Sequence, residues 1–239
     1  MTYVEGFVVA VPTENKEAFR KHAAGLTPLF REAGIQRQVE CWGDDVPHGK
    51  LTDFYGAVQA KEDETIVFAW FEYPDRAARD AANAKMRSDP RMMPTEPPPF
   101  DGQRMIIAGF DAIVDERADG ATGYVDGYVL PVPEGKKEAY LALAQKASRK
   151  FREFGAVRVV EAWGDDVPAG KVTDYRRAVK AEPGDGIIYS WVEWPDKATR
   201  DKGWERMMAD PDMQPGGEMP FDGKRMFWGG FRPLVDAAA

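Results

Sequence analysis

The 239 residues carry 32 Lys and Arg against 40 Asp and Glu, a net charge of −8 and a pI near 5.0. That balance argues against nucleic acid or an anionic membrane surface as the partner, since both need clustered cations. One cysteine, Cys41, excludes an intrachain disulfide framework, and no apolar run approaches the ~20 residues of a membrane span. Residues 3–11 are β-branched and aromatic and predict a first strand, closed by Pro12. Residues 15–33 predict a helix, with Phe19, His22, Leu26 and Phe30 at helical spacing and Gly34 as its stop. Residues 35–42 predict a second strand. Residues 54–60 and 65–73 flank a polar Lys61-Glu62-Asp63-Glu64 segment and predict a hairpin. Asp75 caps a second helix over 75–88, closed by Asp89-Pro90, and residues 104–114 predict the last strand.

This order then recurs. Residues 3–115 and 124–236 align without a gap at a constant offset, with about half the positions identical. Trp42-Gly43-Asp44-Asp45-Val46-Pro47 returns as Trp163-Gly164-Asp165-Asp166-Val167-Pro168, and Pro99-Phe100-Asp101-Gly102 as Pro220-Phe221-Asp222-Gly223. The expected organisation is one unit over 1–115, a linker over 116–123 and a second unit over 124–239. Each unit reads β-α-β-β-β-α-β, the ferredoxin-like pattern with one extra strand. Two like units in one chain predict an α+β protein in which the ferredoxin-like sheets pack as an intramolecular pseudo-dimer, a barrel-like core with helices outside. The whole is expected to be cytoplasmic, either a monomer with an internal pseudo-twofold axis or a further homodimer.

The motifs Glu40-Cys41-Trp42-Gly43-Asp44-Asp45-Val46-Pro47, Asp89-Pro90-Arg91-Met92 and Pro99-Phe100-Asp101-Gly102-Gln103-Arg104-Met105, with their copies ending in Gly229-Gly230-Phe231, resemble the small bacterial YbaA-like proteins. That resemblance spans nearly the whole chain, once per repeat. It implies the dimeric α+β barrel fold and a fused form of what is usually a single-repeat homodimer. It implies no activity, because the family has none assigned. Relatives by fold range from cofactor-free monooxygenases to plain ligand-binding modules, so function must come from a site.

The residues offer one repeated constellation. Glu40-x-Trp42 recurs as Glu161-x-Trp163, and Trp70-x-Glu72 as Trp191-x-Glu193. Residues two apart on a strand share a face, so each Glu sits beside a Trp, and these pairs are expected to face the space between the sheets. Burial there would raise a carboxyl pKa toward the range an acid/base catalyst needs. The alternative is an ion pair with a repeated arginine, Arg37, Arg79 or Arg104 and their copies Arg158, Arg200 and Arg225. Glu5 and its counterpart Asp126 alternate with aromatics, Tyr128 among them, and are expected to line a pocket or to guard a sheet edge. Cys41 is expected to point away from Glu40, toward a helix. The Gly43-Asp44-Asp45 loop lacks the ligand spacing of a calcium loop, so no metal is expected. His22 and His48 lack a partner in the second unit, and no cofactor is expected. Methionines gather around the second helix and long loop of each unit, at Met207, Met208, Met213, Met219 and Met226 in the second. They suggest a lid or an interface. The expected ligand is a small organic molecule. The second unit is expected to hold the better-formed pocket, using Glu161, Trp163, Trp191, Glu193 and Arg225, with Trp42, Trp70 and Arg104 as first-unit counterparts.

Overall fold

The computed structural model describes residues 2–93, 96–214 and 218–238. The first repeat contains β1 (Tyr3–Pro12), α1 (Lys16–Ala33), β2 (Arg37–Asp45), α2 (Phe54–Ala57), β3 (Glu64–Tyr73), α3 (Arg76–Ser88) and β4 (Ile106–Arg117). The second contains β5 (Tyr124–Pro133), α4 (Lys137–Glu153), β6 (Arg158–Asp166), α5 (Tyr175–Ala178), β7 (Asp185–Trp194), α6 (Lys197–Ala209) and β8 (Phe227–Ala238). Local chemistry sets the ends. Gly34 takes φ 112°, the left-handed region, and returns its N–H to the Phe30 carbonyl at 3.1 Å, which stops α1. The Asp75 carboxylate accepts from the Ala78 N–H at 2.8 Å and starts α3.

The predicted hairpin over 54–73 is half right. Residues 65–73 lie within β3, but 54–57 form the single helical turn α2. Asp53 accepts from the Gly56 N–H at 2.6 Å and caps that turn, and Asp174 does the same for Arg177 at 2.8 Å. Each repeat is therefore β-α-β-β-α-β, without the extra strand. The turn puts Phe54, Val58, Tyr175 and Val179 across one end of the barrel, where all four are buried. That burial outweighs the strand propensity of an aromatic, β-branched segment.

The eight strands close into one antiparallel barrel in the order β1-β3-β2-β8-β5-β7-β6-β4 and back to β1. Each repeat supplies four neighbouring strands, and β2 with β8 and β4 with β6 make the two seams. The interior is aromatic. Trp70 and Trp191 meet at 4.4 Å between ring centroids, and Phe68 and Tyr189 stack at 4.5 Å. Glycine makes room for them: a Cβ on Gly127 would lie 2.8 Å from the Phe68 ring. Helices α1 and α3 cover the outer face of the first half, α4 and α6 that of the second. No described helix is long and apolar enough to cross a membrane.

The repeats also exchange polar contacts. The Tyr3 hydroxyl donates to Asp165 at 3.1 Å, and the Tyr124 hydroxyl to Asp44 at 3.0 Å. Arg79 reaches Asp166, and Arg200 reaches Asp45. The Asp-Asp loops are thus clasps between halves. One repeat alone would expose both seam strands and half of an aromatic core. A fragment of residues 1–118 is expected to dimerise or precipitate. A monodisperse, folded monomer in size-exclusion chromatography would contradict the pseudo-dimer account.

Candidate functional site

In an antiparallel ladder, directly opposed residues share a face. Tyr128 of β5 opposes Ser190 of β7, and Ser190 opposes Glu161 of β6. Three polar side chains therefore form a row across adjacent strands, on the outer face of the barrel beneath α4 and α6. A cleft of about 680 Å³ opens over this row. Tyr140 of α4 closes it from above, its hydroxyl donating to Glu161 Oε2 at 2.6 Å. Trp204 of α6 lies 6.4 Å from the Tyr128 ring. Met207, Met208, Met213, Met219 and Met226 all line the walls. The segment after α6 is tied to α4 by Lys150 on Asp210 at 2.9 Å and by Lys146 on the Asp212 carbonyl, and Lys136 holds Glu218 at 2.6 Å.

Glu161 is half-buried at the floor of this cleft. Burial raises its carboxyl to about 7, even though the Tyr140 and Ser190 hydroxyls favour the ionised form. Burial likewise pushes the Tyr128 and Tyr140 phenols well above their ordinary range. The Tyr128 Oη is sealed from solvent and has no hydrogen-bond partner among the described residues.

The first repeat has the same row without its hydroxyls. Phe7 opposes Ala69, and Ala69 opposes Glu40. Phe19 stands where Tyr140 stands in the second repeat, and His22 where Leu143 does. The corresponding space is packed with rings: Phe71, in place of Val192, lies 4.8 Å from both Phe7 and Phe30. Glu40 is buried and accepts from Gln38 at 3.4 Å. Burial lifts it to about 7 as well.

The other candidates are not brought together as expected. Trp70 and Glu72, with Trp191 and Glu193, do face the barrel interior. Glu40 with Trp42, and Glu161 with Trp163, face outward to the helices instead, because Glu40 opposes outward-facing Ala69 while Val39 opposes inward-facing Trp70. Sequence parity defines faces within a strand but not between strands. For the same reason Cys41 points into the barrel core, not toward a helix. Trp42 and Trp163 pack under Lys16 and Lys137.

Glu72 and Glu193 belong to an ion cluster that closes the barrel end opposite α2 and α5. Arg158 grips Glu72 at 2.6 and 3.0 Å, and Arg37 grips Glu193 at 2.8 and 2.9 Å, each across the pseudo-twofold axis. The same arginines hold Asp115 and Asp236. Indole N–H groups of Trp70 and Trp191 donate to Glu72 and Glu193 at 3.0 and 2.9 Å. Burial opposes ionisation of Glu193, but Arg37, Arg158 and Thr122 overcome it and hold the carboxyl at about 2. Both carboxylates are ion-paired, and Glu193 stays ionised through the neutral range.

Arg104 pairs with Glu64 at 2.6 and 2.7 Å, and Arg225 with Asp185 at 2.7 Å. Both sit at the far ends of β3 and β7 from Glu72 and Glu193, roughly 27 Å away at ~3.4 Å per residue. Glu5 accepts from Asn83 at 2.8 Å and Arg79 at 3.2 Å. Asp126 is closed off by Trp194, Trp204 and Arg200, all within 2.9 Å. Of the sequence candidates, Glu161 and Tyr128 share the cleft. Tyr140 and Ser190 were missed. The signal was there in the comparison of repeats: Tyr128 for Phe7, Tyr140 for Phe19 and Ser190 for Ala69 each add a hydroxyl to one row.

A family model described as a protein of unknown function, DUF1428, matches residues 2–102 and again 123–223. The uncharacterised protein YbaA of Escherichia coli K12 is 59% identical over 117 residues, 48% of this chain and 100% of YbaA. YbaA of Shigella flexneri matches equally. Among solved structures, an anthrone oxidase-like protein superposes with a TM-score of 0.55 at 14% identity, covering 100% of this chain and 93% of its own. A monooxygenase candidate from Lactobacillus acidophilus NCFM gives 0.51 at 9% identity, covering 99% and 96%. At such identities these two share the fold alone. These two matches, which together span most of the sequence, establish that the chain belongs to the DUF1428 family and carries its unit twice.

Proposed function

We propose that the cleft of the second repeat binds a small, largely apolar organic molecule and that Glu161 exchanges a proton with it. The observation that carries this reading is a carboxyl group held at about 7 at the floor of a 680 Å³ cleft. Acid/base catalysis is most effective when the group titrates near the working pH. A volume of this size suits a ligand of drug-like dimensions. Methionine walls adapt to irregular apolar shapes. The first repeat contributes none of the described lining residues, and its own equivalent row keeps Glu40 but loses the hydroxyls, with Phe7, Phe30 and Phe71 filling the space above it.

Methionine-methyl NMR tests the reading, because each repeat carries its own reporters. Aromatic fragments that bind are expected to shift the methyls of Met207, Met213 and Met226 while leaving Met86 and Met105 of the first repeat in place. Leu143→Trp, which fills the cleft from α4, is expected to abolish those shifts. Fragments that move the first-repeat methyls equally, or that still bind the Leu143→Trp protein, would contradict it.

A further inference from the structure

Resting on that reading, the geometry points to a ligand class: we propose that the cleft takes a neutral molecule bearing a hydroxyl group, a phenol or enol, whose oxygen sits between Glu161 and Tyr128. The argument begins with the row on β5, β7 and β6. Tyr128 and Glu161 flank Ser190 on successive strands, so their backbones lie about 10 Å apart at ~4.8 Å per strand. Both side chains rise from the same face into the same cleft. One functional group of the ligand can touch both once the Tyr128 hydroxyl, sealed from solvent in the free chain, turns into the cleft.

Each flank has an open hydrogen-bonding position of known sign. Glu161 accepts from Tyr140, and an ionised carboxylate has about four acceptor sites, so it can take a further donor. The Tyr128 O–H is sealed from solvent without a partner among the described residues. Such a group is costly unless satisfied, and its proton needs an acceptor. A ligand hydroxyl meets both requirements with one atom: it donates to Glu161 and accepts from Tyr128. An ammonium group gives a donor but no acceptor. A carboxylate gives acceptors but no donor, and it would lie beside Glu161.

Charge around the cleft agrees. Among the described lining residues, Lys146 is the one cation against Glu161, Asp212 and Glu218. Lys146 is engaged by the Asp212 carbonyl, and Glu218 by Lys136. Among the described lining residues the three carboxylates outnumber the single ammonium, which disfavours an anionic ligand. Most of the remaining lining, including Trp204, Phe221 and the methionines, is apolar and suits a flat ring system.

Four probes with one ring system isolate the polar group: 2-naphthol, naphthalene, 2-naphthoate and 2-naphthylmethylamine, titrated into the full chain at pH 7 with the methionine methyls as the readout. The hydroxyl probe is expected to bind at least tenfold more tightly than each of the others. Tyr128→Phe is expected to reduce naphthol affinity about tenfold and leave naphthalene affinity unchanged, which also shows that the variant is folded. Naphthalene, naphthoate or the amine binding the second-repeat cleft as tightly as naphthol would overturn the ligand class while leaving the cleft reading intact. Failure of all four to move the second-repeat methyls would overturn both.

Discussion

Arg158→Met is expected to destabilise the protein by about 3–5 kcal/mol, the usual cost of removing one partner from a buried ion pair. Arg158 is buried and holds two carboxylates at once, Glu72 and Asp115. Its loss leaves Glu72 with weaker contacts to Arg37 at 3.3 Å and Arg117 at 3.2 Å. In a chain of this length such a loss lowers Tm by roughly 6–20 °C. Urea denaturation at pH 7 measures it directly, and a loss below about 1 kcal/mol would contradict the structural role given to the cluster. The same change at Arg37 should cost a similar amount, since the cluster is related by the pseudo-twofold axis.

The second large effect is a stability profile that falls on both sides of about pH 4.5. On the acid side, Glu193 and Asp115 titrate near 2 in the folded chain: burial opposes their ionisation, and their arginines more than offset it. The unfolded chain takes up protons first, so this contribution is present above the ordinary carboxylate range and is lost as pH falls toward 2. On the other side the sign reverses. Burial raises Glu161 and Glu40 to about 7, so between about 4.5 and 7 the folded chain holds protons that the unfolded chain has lost, and stability declines as pH rises. At pH 8 an ionised Glu161 should therefore cost about 1–3 kcal/mol, at ~1.4 kcal/mol per pKa unit with a discount for its partial exposure. Glu161→Gln is expected to restore that amount at pH 8 and to change little at pH 4.5. A wild-type profile that stays flat from pH 5 to 8 would contradict the assignment.

Most of the fold was legible because its local signals repeat. The β-branched and aromatic run of residues 3–11, the glycine stop at Gly34 and the Asp75 cap are local signals, and each appears twice or has a close equivalent. The short helix α2 was missed because Phe54 and Val58 have strand-like propensity locally. Their helical placement follows from plugging a barrel end, a non-local reward. The site was legible in part. Burial of Glu161 was expected, but its face was assigned from parity within one strand, and only the register Glu161 to Ser190 fixes it. Arginines near Glu72 and Glu193 were expected as an alternative to a titrating role, and bidentate pairs with Arg158 and Arg37 do cross the axis there. Tyr140 and Ser190 lie 21 and 29 residues from Glu161 on either side. Nothing in spacing joins them, although their hydroxyls vanish together in the first repeat.

The central claim is that Glu161 is the poised acid/base group of the second-repeat cleft, and a carboxyl ¹³C NMR titration of the Glu161 side chain tests it most directly. The predicted midpoint is about 7, rising further in Tyr140→Phe, where the hydroxyl that favours the ionised form is gone. A midpoint near the ordinary glutamate value of about 4.3, unchanged by Tyr140→Phe, would contradict it.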